Sequence, residues 1–403
     1  MLKKTFILIF FYNSFQVFQY VQDKYSYQYE DWLINYSNGF VRRGLIGEIL
    51  IKVSSIINFN LQYLVLFFLI FLLAIFYKKS YNLISKIEYG KIYYFLIFSP
   101  FFFFFYLVNH SAGIRKEFLL YIFFIYLITD EKIDISKYKL YFYSLVFSIL
   151  ILVHEGLIFY LPFYFLFIIF KSNKKNLKTT FFNMGLVVCC SLLFALLSIK
   201  FNGSDEHVVK ICESLTYNVK ESCATGGAIN HLKDGLSYSI NHVFKEHDSL
   251  SIFNWILITL FGFFPLIIII KNSEFKKNYF VNYYLHLKTK YFYIIFLTLS
   301  LISILPLFIV AFDWGRWLSI YYHLAAFNLL YLIKSKKIRL NEKIFFELFF
   351  KKKLLYKNIF FILILYSTFV TPSVFDKKSD EDLNPYKFNY LNMSKKIIDK
   401  NFN

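Results

Sequence analysis

The chain predicts an all-α, polytopic integral membrane bundle of about eleven transmembrane helices with one enlarged periplasmic loop. Three observations predict it. The 403 residues are 58% hydrophobic, with 54 Phe and 34 Tyr and a mean hydropathy of +0.50, above the roughly 45–50% apolar share of soluble domains. Apolar runs of bilayer length, roughly 17–25 residues, recur along the whole chain. Lysines crowd alternate loops between these runs, as the charge bias of cytoplasmic loops requires.

The runs lie near residues 5–21, 61–77, 93–108, 118–129, 140–153, 157–170, 185–200, 251–270, 291–311, 318–333 and 355–371. Thr5–Val21 lacks a small-residue cleavage site, so it reads as the first span and not as a signal peptide. The fourth to sixth runs are short and are expected to extend into their flanks. Lys3-Lys4, Lys78-Lys79, Lys137, Lys171, Lys276-Lys277 and Lys336-Lys337 mark the cytoplasmic side. The N-terminus is then cytoplasmic, and an odd number of spans puts the tail outside. This gives a transmembrane domain over 1–371, a periplasmic cap loop 201–250 inserted in it, and a polar periplasmic tail over 372–403. The formal charge of +19 resides in this lysine pattern, so no nucleic-acid partner is expected; the implied location is a bacterial inner membrane.

Two outer segments carry further structure. In the first, Gly44–Ile57 has apolar residues at helical spacing, as in an interfacial or re-entrant helix. In the second, Cys212 and Cys223 could close a short disulfide loop in an oxidising compartment, while Cys189-Cys190 lies inside a span.

Five of the 45 basic residues are arginine, and four of these sit in three short motifs: Arg42-Arg43-Gly44, Gly113-Ile114-Arg115-Lys116-Glu117 and Asp313-Trp314-Gly315-Arg316-Trp317. In a chain that uses lysine wherever any cation serves, arginine marks places where a planar bidentate donor matters, as in phosphate or carboxylate recognition. All four fall in loops on the same, outer face. His154-Glu155-Gly156 turns the chain on that face as well. Ionisable residues at membrane depth are functional candidates. Arg42 and Arg43 read as a clamp on an anionic head group or as an anchor to anionic lipid. Arg115 opens a helix, where a cation opposes the dipole; it reads as a phosphate ligand or as the partner of Glu117 or Glu155. His154 beside Glu155 is a candidate general base. Asp313 and Arg316 are three apart, within reach on one turn. Trp314 and Trp317 fit an interfacial belt or a sugar-stacking platform. No P-loop or dinucleotide-binding glycine pattern is present, so nucleotide-dependent chemistry is unsupported. A pre-activated lipid-linked phosphorylated glycan needs none.

The whole layout resembles the O-antigen polymerases, the Wzy-type membrane enzymes that join repeat units on undecaprenyl pyrophosphate. Asn109–Leu120 followed by Leu152–Leu161 is similar to the arginine-then-histidine pattern of related polysaccharide-polymerising proteins. The resemblance implies glycosyl transfer on the periplasmic face without metal or cofactor. The partners it implies are an undecaprenyl-pyrophosphate-linked glycan, membrane lipid and a chain-length regulator protein. Arg115 and Arg316, with Arg42 or Arg43, would stabilise the departing pyrophosphate; His154, Glu155 or Asp313 would take the acceptor proton. The enzyme alternative is a GT-C-type transferase using a polyprenyl-monophosphate sugar, which the acids of the first outer loop, Asp23, Glu30 and Asp31, resemble. The non-enzyme alternative is a flippase for lipid-linked oligosaccharides.

Overall fold

The computed structural model describes residues 2–340 except 24–26, 88–91, 109–113, 131–136, 172–176, 216–218, 220–222, 224–226, 248 and 312, with short pieces between 363 and 389. Helix α1 (Leu2–Asp23) runs from the Lys3-Lys4 end of a helical bundle to the opposite end, where the short α2 (Tyr27–Leu33) and α3 (Leu45–Ile56) lie. Helix α4 (Leu61–Ser85) returns antiparallel to α1. Polar pairs fix that register: Gln62 donates to the Val21 carbonyl at 2.9 Å and Asn13 to the Tyr77 hydroxyl at 2.5 Å. The Asn60 side chain accepts from the Gln62 and Tyr63 amides and so starts α4 by satisfying donors that the first turn leaves open.

The third apolar run is two pieces, α5 (Ile92–Ile97) and α6 (Phe103–Val108). Pro100 has no amide donor, which breaks the ladder. The Ser99 hydroxyl instead donates to the Gly262 carbonyl at 2.8 Å. A Cβ on Gly262 would come within 2.3 Å of the Phe101 ring, so only glycine admits this approach. Next come α7 (Phe118–Thr129) and α8 (Lys137–Val153), then a 3-10 turn (Glu155–Tyr160), α9 (Leu161–Lys171) and α10 (Leu177–Lys200) against α8.

Between α10 and the next long helix lies a small helical cap of α11 (Asp205–Ser214), α12 (Gly227–Asn230) and α13 (Leu236–Glu246). Cys212 and Cys223 are joined within it, with Cα atoms 5.9 Å apart. Helix α14 (Ser249–Lys271) follows, with Pro265 inside it, then strand β1 (Ser273–Phe275), α15 (Tyr279–Tyr284), α16 (Thr289–Ser303), α17 (Leu305–Val310), α18 (Trp314–Lys334) and strand β2 (Ile338–Leu340). β1 and β2 pair antiparallel, Ser273 opposite Leu340. The core is centred on α18, buried without interruption from Gly315 to Ile333 and packed by α4, α7, α9, α14 and α16.

Four stretches, Leu61–Ser85, Lys178–Lys200, Ile252–Lys271 and Thr289–Val310, are long and apolar enough to cross a membrane by length and composition. Other apolar helices are shorter, broken or more polar, so the count of eleven belongs to the sequence reading. The run at 355–371 and the tail 372–403 lie mostly outside the described residues; Val370–Pro372 pairs with Tyr386–Asn389 as short strands. Large apolar side chains such as Phe11, Phe67, Phe71 and Leu193 are exposed around the outside, as hydrocarbon-facing positions are.

The bundle has two chemically distinct ends. At one end lysines hold helix termini. Lys139 pairs with Asp130 at 2.8 Å, and Lys171 donates to the Leu127 and Asp130 carbonyls. Lys337 donates to the Phe170 carbonyl. The arginine motifs lie at the other end.

Candidate functional site

The first motif is shaped by its backbone. Gly44 packs against Tyr36 so closely that a Cβ would fall 2.3 Å from its ring. Arg43 itself adopts φ 65°, a left-handed conformation that costs a non-glycine residue roughly 1–2 kcal/mol. Arg43 Nε donates to both Glu155 oxygens at 3.1 and 3.0 Å, and its Nη2 to Oε1 at 2.5 Å. Arg42 Nη2 donates to the His231, Leu232 and Asp234 carbonyls at 3.2, 3.2 and 3.4 Å. Its Nη1 is 3.6 Å from Glu155. Arg42 therefore ties the cap to the segment between α2 and α3, and Arg43 ties that segment to the turn after α8.

The second and third motifs meet in a buried cluster. Arg316 Nη2 is 2.6 Å from Asp313 Oδ2 and its Nη1 is 3.3 Å from Glu117. Arg115 Nη1 reaches the same Asp313 oxygen at 3.4 Å and its guanidinium lies 4.5 Å from the centre of the Tyr27 ring. Asp313 thus sits between two arginines, one from each motif. Arg115 pairs with Asp313, where the sequence offered Glu117 or Glu155. The chain turns just before α7 in a way that sequence spacing does not reveal.

Lys116 joins the two groups. Its side chain is fully buried. It donates to the Arg43 carbonyl at 2.6 Å and lies 3.9 Å from Asp31. Burial pushes its amine down to about 8, with the Asp31 carboxylate opposing that shift. Asp31 arrives on α2, which is buried from Gln28 to Leu33 and pinned by Trp32 Nε1 donating to the Ile114 carbonyl at 2.7 Å. Sequence reading passed over Lys116 and Glu117 as site residues. The one signal was their place beside Arg115; a lysine in a lysine-rich chain carries little information by itself.

The three candidate bases are each engaged. His154 Nδ1 accepts from the Gly156 amide at 3.2 Å and so caps the 3-10 turn. In the neutral ring that leaves the proton on Nε2. Burial, then the Arg43 charge, hold its pKa well below the ordinary histidine value. Glu155 is raised by burial, but Arg43 and Arg42 overcome this and hold it well below the carboxylate range. Asp313 is held by Arg115 and Arg316. By contrast, Asp31 Oδ2 and Glu117 Oε2 are buried with no hydrogen-bond partner among the described residues, as are the donors Arg42 Nε and Arg316 Nε.

The tryptophans are walls of the site. Trp317 is buried, with Arg316 4.3 Å over its ring and His154 edge-on at 5.5 Å. It has no open face for sugar stacking or for an interfacial belt. Trp314 stacks on His247 at 4.0 Å and donates to the Phe308 carbonyl at 3.0 Å. The structure thus brings Arg42, Arg43, Arg115, Arg316, Asp313, His154 and Glu155 to one end of the bundle.

A family model described as "Uncharacterised membrane protein Rv1490" matches residues 4–256, more than half of the chain. The chain belongs to this family. It is a membrane protein family, and the match carries no tie to O-antigen polymerases. The matched residues include Arg42, Arg43, Arg115, His154, Glu155 and the cap, and stop before Asp313. No curated protein and no solved structure matches the chain.

Proposed function

We propose that the arginine end binds the phosphate of a polyprenyl-linked glycan and transfers the glycan to an acceptor hydroxyl at the outer face of the membrane. The observation that carries this reading is the convergence of four arginines and Lys116 at one end of a largely apolar bundle, with buried donors unused at Arg42 Nε and Arg316 Nε. Charges buried at this depth are costly unless matched. An arriving phosphate would add acceptors for donors that the acids leave over. The lysine-rich opposite end supports a cytoplasmic placement for that face, and so an outer placement for the site.

The first form of the reaction is repeat-unit polymerisation. The acceptor hydroxyl attacks the sugar carbon bonded to pyrophosphate, and the carbon–oxygen bond to pyrophosphate breaks. Undecaprenyl pyrophosphate leaves with the electron pair, stabilised by Arg115 and Arg316, and the hydroxyl proton passes to a carboxylate. Asp31 and Glu117 each keep an acceptor oxygen without a partner among the described residues, and Asp31 is the one we assign as base; Glu155, Asp313 and His154 hold the site together. The same observation favours a second form, in which the donor is a polyprenyl-monophosphate sugar and the first outer loop supplies the base.

Chromosomal replacement by Arg115→Lys and Asp31→Asn, with protein level and surface glycan followed together, tests both forms. Repeat-unit polymerisation predicts a single capped unit in place of the glycan ladder for each variant at normal protein level. A full ladder lacking one sugar substituent points to the monophosphate form. An unchanged glycan in both variants would remove the site reading.

A further inference from the structure

We infer that α13 (Leu236–Glu246) is a membrane-interface helix whose apolar stripe docks on lipid at the arginine end and anchors the cap beside the site. The argument starts from its sequence. At about 100° per residue, Leu236, Ile240 and Phe244 fall on one flank, at i, i+4 and i+8. Val243 falls to one side of that flank, and Asn241 and Lys245 fall to the other. The structure gives each flank a different environment. Val243 is buried at 3% exposure, whereas Leu236 and Phe244 are 65% and 68% exposed. Asn241 and Lys245 are exposed as well. One flank is packed on protein, one is polar, and the third shows Leu236 and Phe244 exposed at its two ends with Ile240 half-buried between them.

What covers the third flank follows from its neighbours. Helix α13 packs on α17, which belongs to the membrane-crossing stretch Thr289–Val310. The exposed Leu305 and Ile309 of α17 face outward from that stretch. Helix α14 follows in the chain, and its exposed Ile252, Phe253 and Ile256 open the crossing stretch Ile252–Lys271. The stripe of α13 thus continues a surface that already faces hydrocarbon. An amphipathic helix with a lysine on its polar flank suits the plane between head groups and acyl chains. At its C-terminal end His247 stacks on Trp314, the first residue of α18, next to Asp313. A helix seated in lipid is therefore in direct contact with the start of the helix that carries Arg316. This inference stands apart from the proposed chemistry.

The experiment uses the full-length protein with Cys189→Ser and Cys190→Ser, in vesicles of phosphatidylethanolamine and phosphatidylglycerol. A polarity-sensitive fluorophore is attached at Phe244→Cys or, for comparison, at Asn241→Cys. The inference predicts blue-shifted emission at 244, quenched by acyl-chain-brominated lipid and at least threefold less sensitive to iodide than the probe at 241. Iodide quenching at 244 as strong as at 241 would place the helix in water. Blue-shifted emission at 244 that neither quencher reaches would place a protein surface there. Either result overturns the inference.

Discussion

Asp313→Ala is expected to be the most destabilising single change at the arginine end. One carboxylate holds Arg316 at 2.6 Å and Arg115 at 3.4 Å, and both guanidiniums are buried, at 5% and 8% exposure. Removing the acid leaves two like charges facing each other in a region with little water. Breaking a buried pair costs about 3–5 kcal/mol, and here two pairs break together. Glu117 still holds Arg316 at 3.3 Å, which keeps the loss near the upper part of that range and below twice it. Asp313→Asn keeps an acceptor but not the charge and should lose less. Chemical denaturation in detergent micelles checks the order: wild type, then Asn, then Ala. Equal stability of Ala and wild type would mean that the two arginines have other acceptors.

The second large effect concerns Glu155 and Arg43. Glu155→Leu leaves Arg43 and Arg42, both half-buried, without their shared acid and is expected to cost about 2–3 kcal/mol, below the roughly 3–5 kcal/mol of a fully buried pair. The double change Arg43→Met with Glu155→Leu should recover most of that loss, because apolar residues of similar size replace a desolvated pair at small cost. The glycan readout should not recover, since the arginine fork is gone. Recovery of both would make the pair structural alone. The wild-type pair also carries a pH dependence. Glu155 is depressed below its ordinary value, so its contribution is complete above the ordinary carboxylate range. That contribution is lost as pH falls through the depressed value.

Much of the bundle was legible because membranes impose length and apolarity on every crossing. The helices α4, α10, α14 and α18 begin or end within a few residues of the runs read from sequence, apart from extensions at the lysine end. Gly44–Ile57 holds a helix, α3, and the Cys212–Cys223 bridge is present. The break at Ser99-Pro100 was not read, because an apolar count is blind to one proline. At the arginine end, arginine scarcity pointed to residues that the structure gathers together, each guanidinium engaged by a carboxylate or by carbonyls. It could not say which acid each arginine meets. Asp313 and Arg115 are far apart in sequence and become neighbours only through the packing of α7 on α18. The sequence is equally silent on the orientation of His154: a histidine beside a glutamate suggests a base, and in the structure its Nδ1 accepts from the Gly156 amide and caps its own turn. Lys116 was hidden among the lysines.

The most direct test of the central claim is reconstitution. Purified protein in lipid nanodiscs is mixed with undecaprenyl-pyrophosphate-linked repeat units extracted from the source cells, and lipid-linked products are resolved by mass. The polymerisation account predicts species of two or more repeat units on one lipid, with one free undecaprenyl pyrophosphate released per joining event. It also predicts that both products disappear with Arg115→Lys in folded protein. Single repeat units that stay unchanged, with no pyrophosphate lipid released, would contradict it.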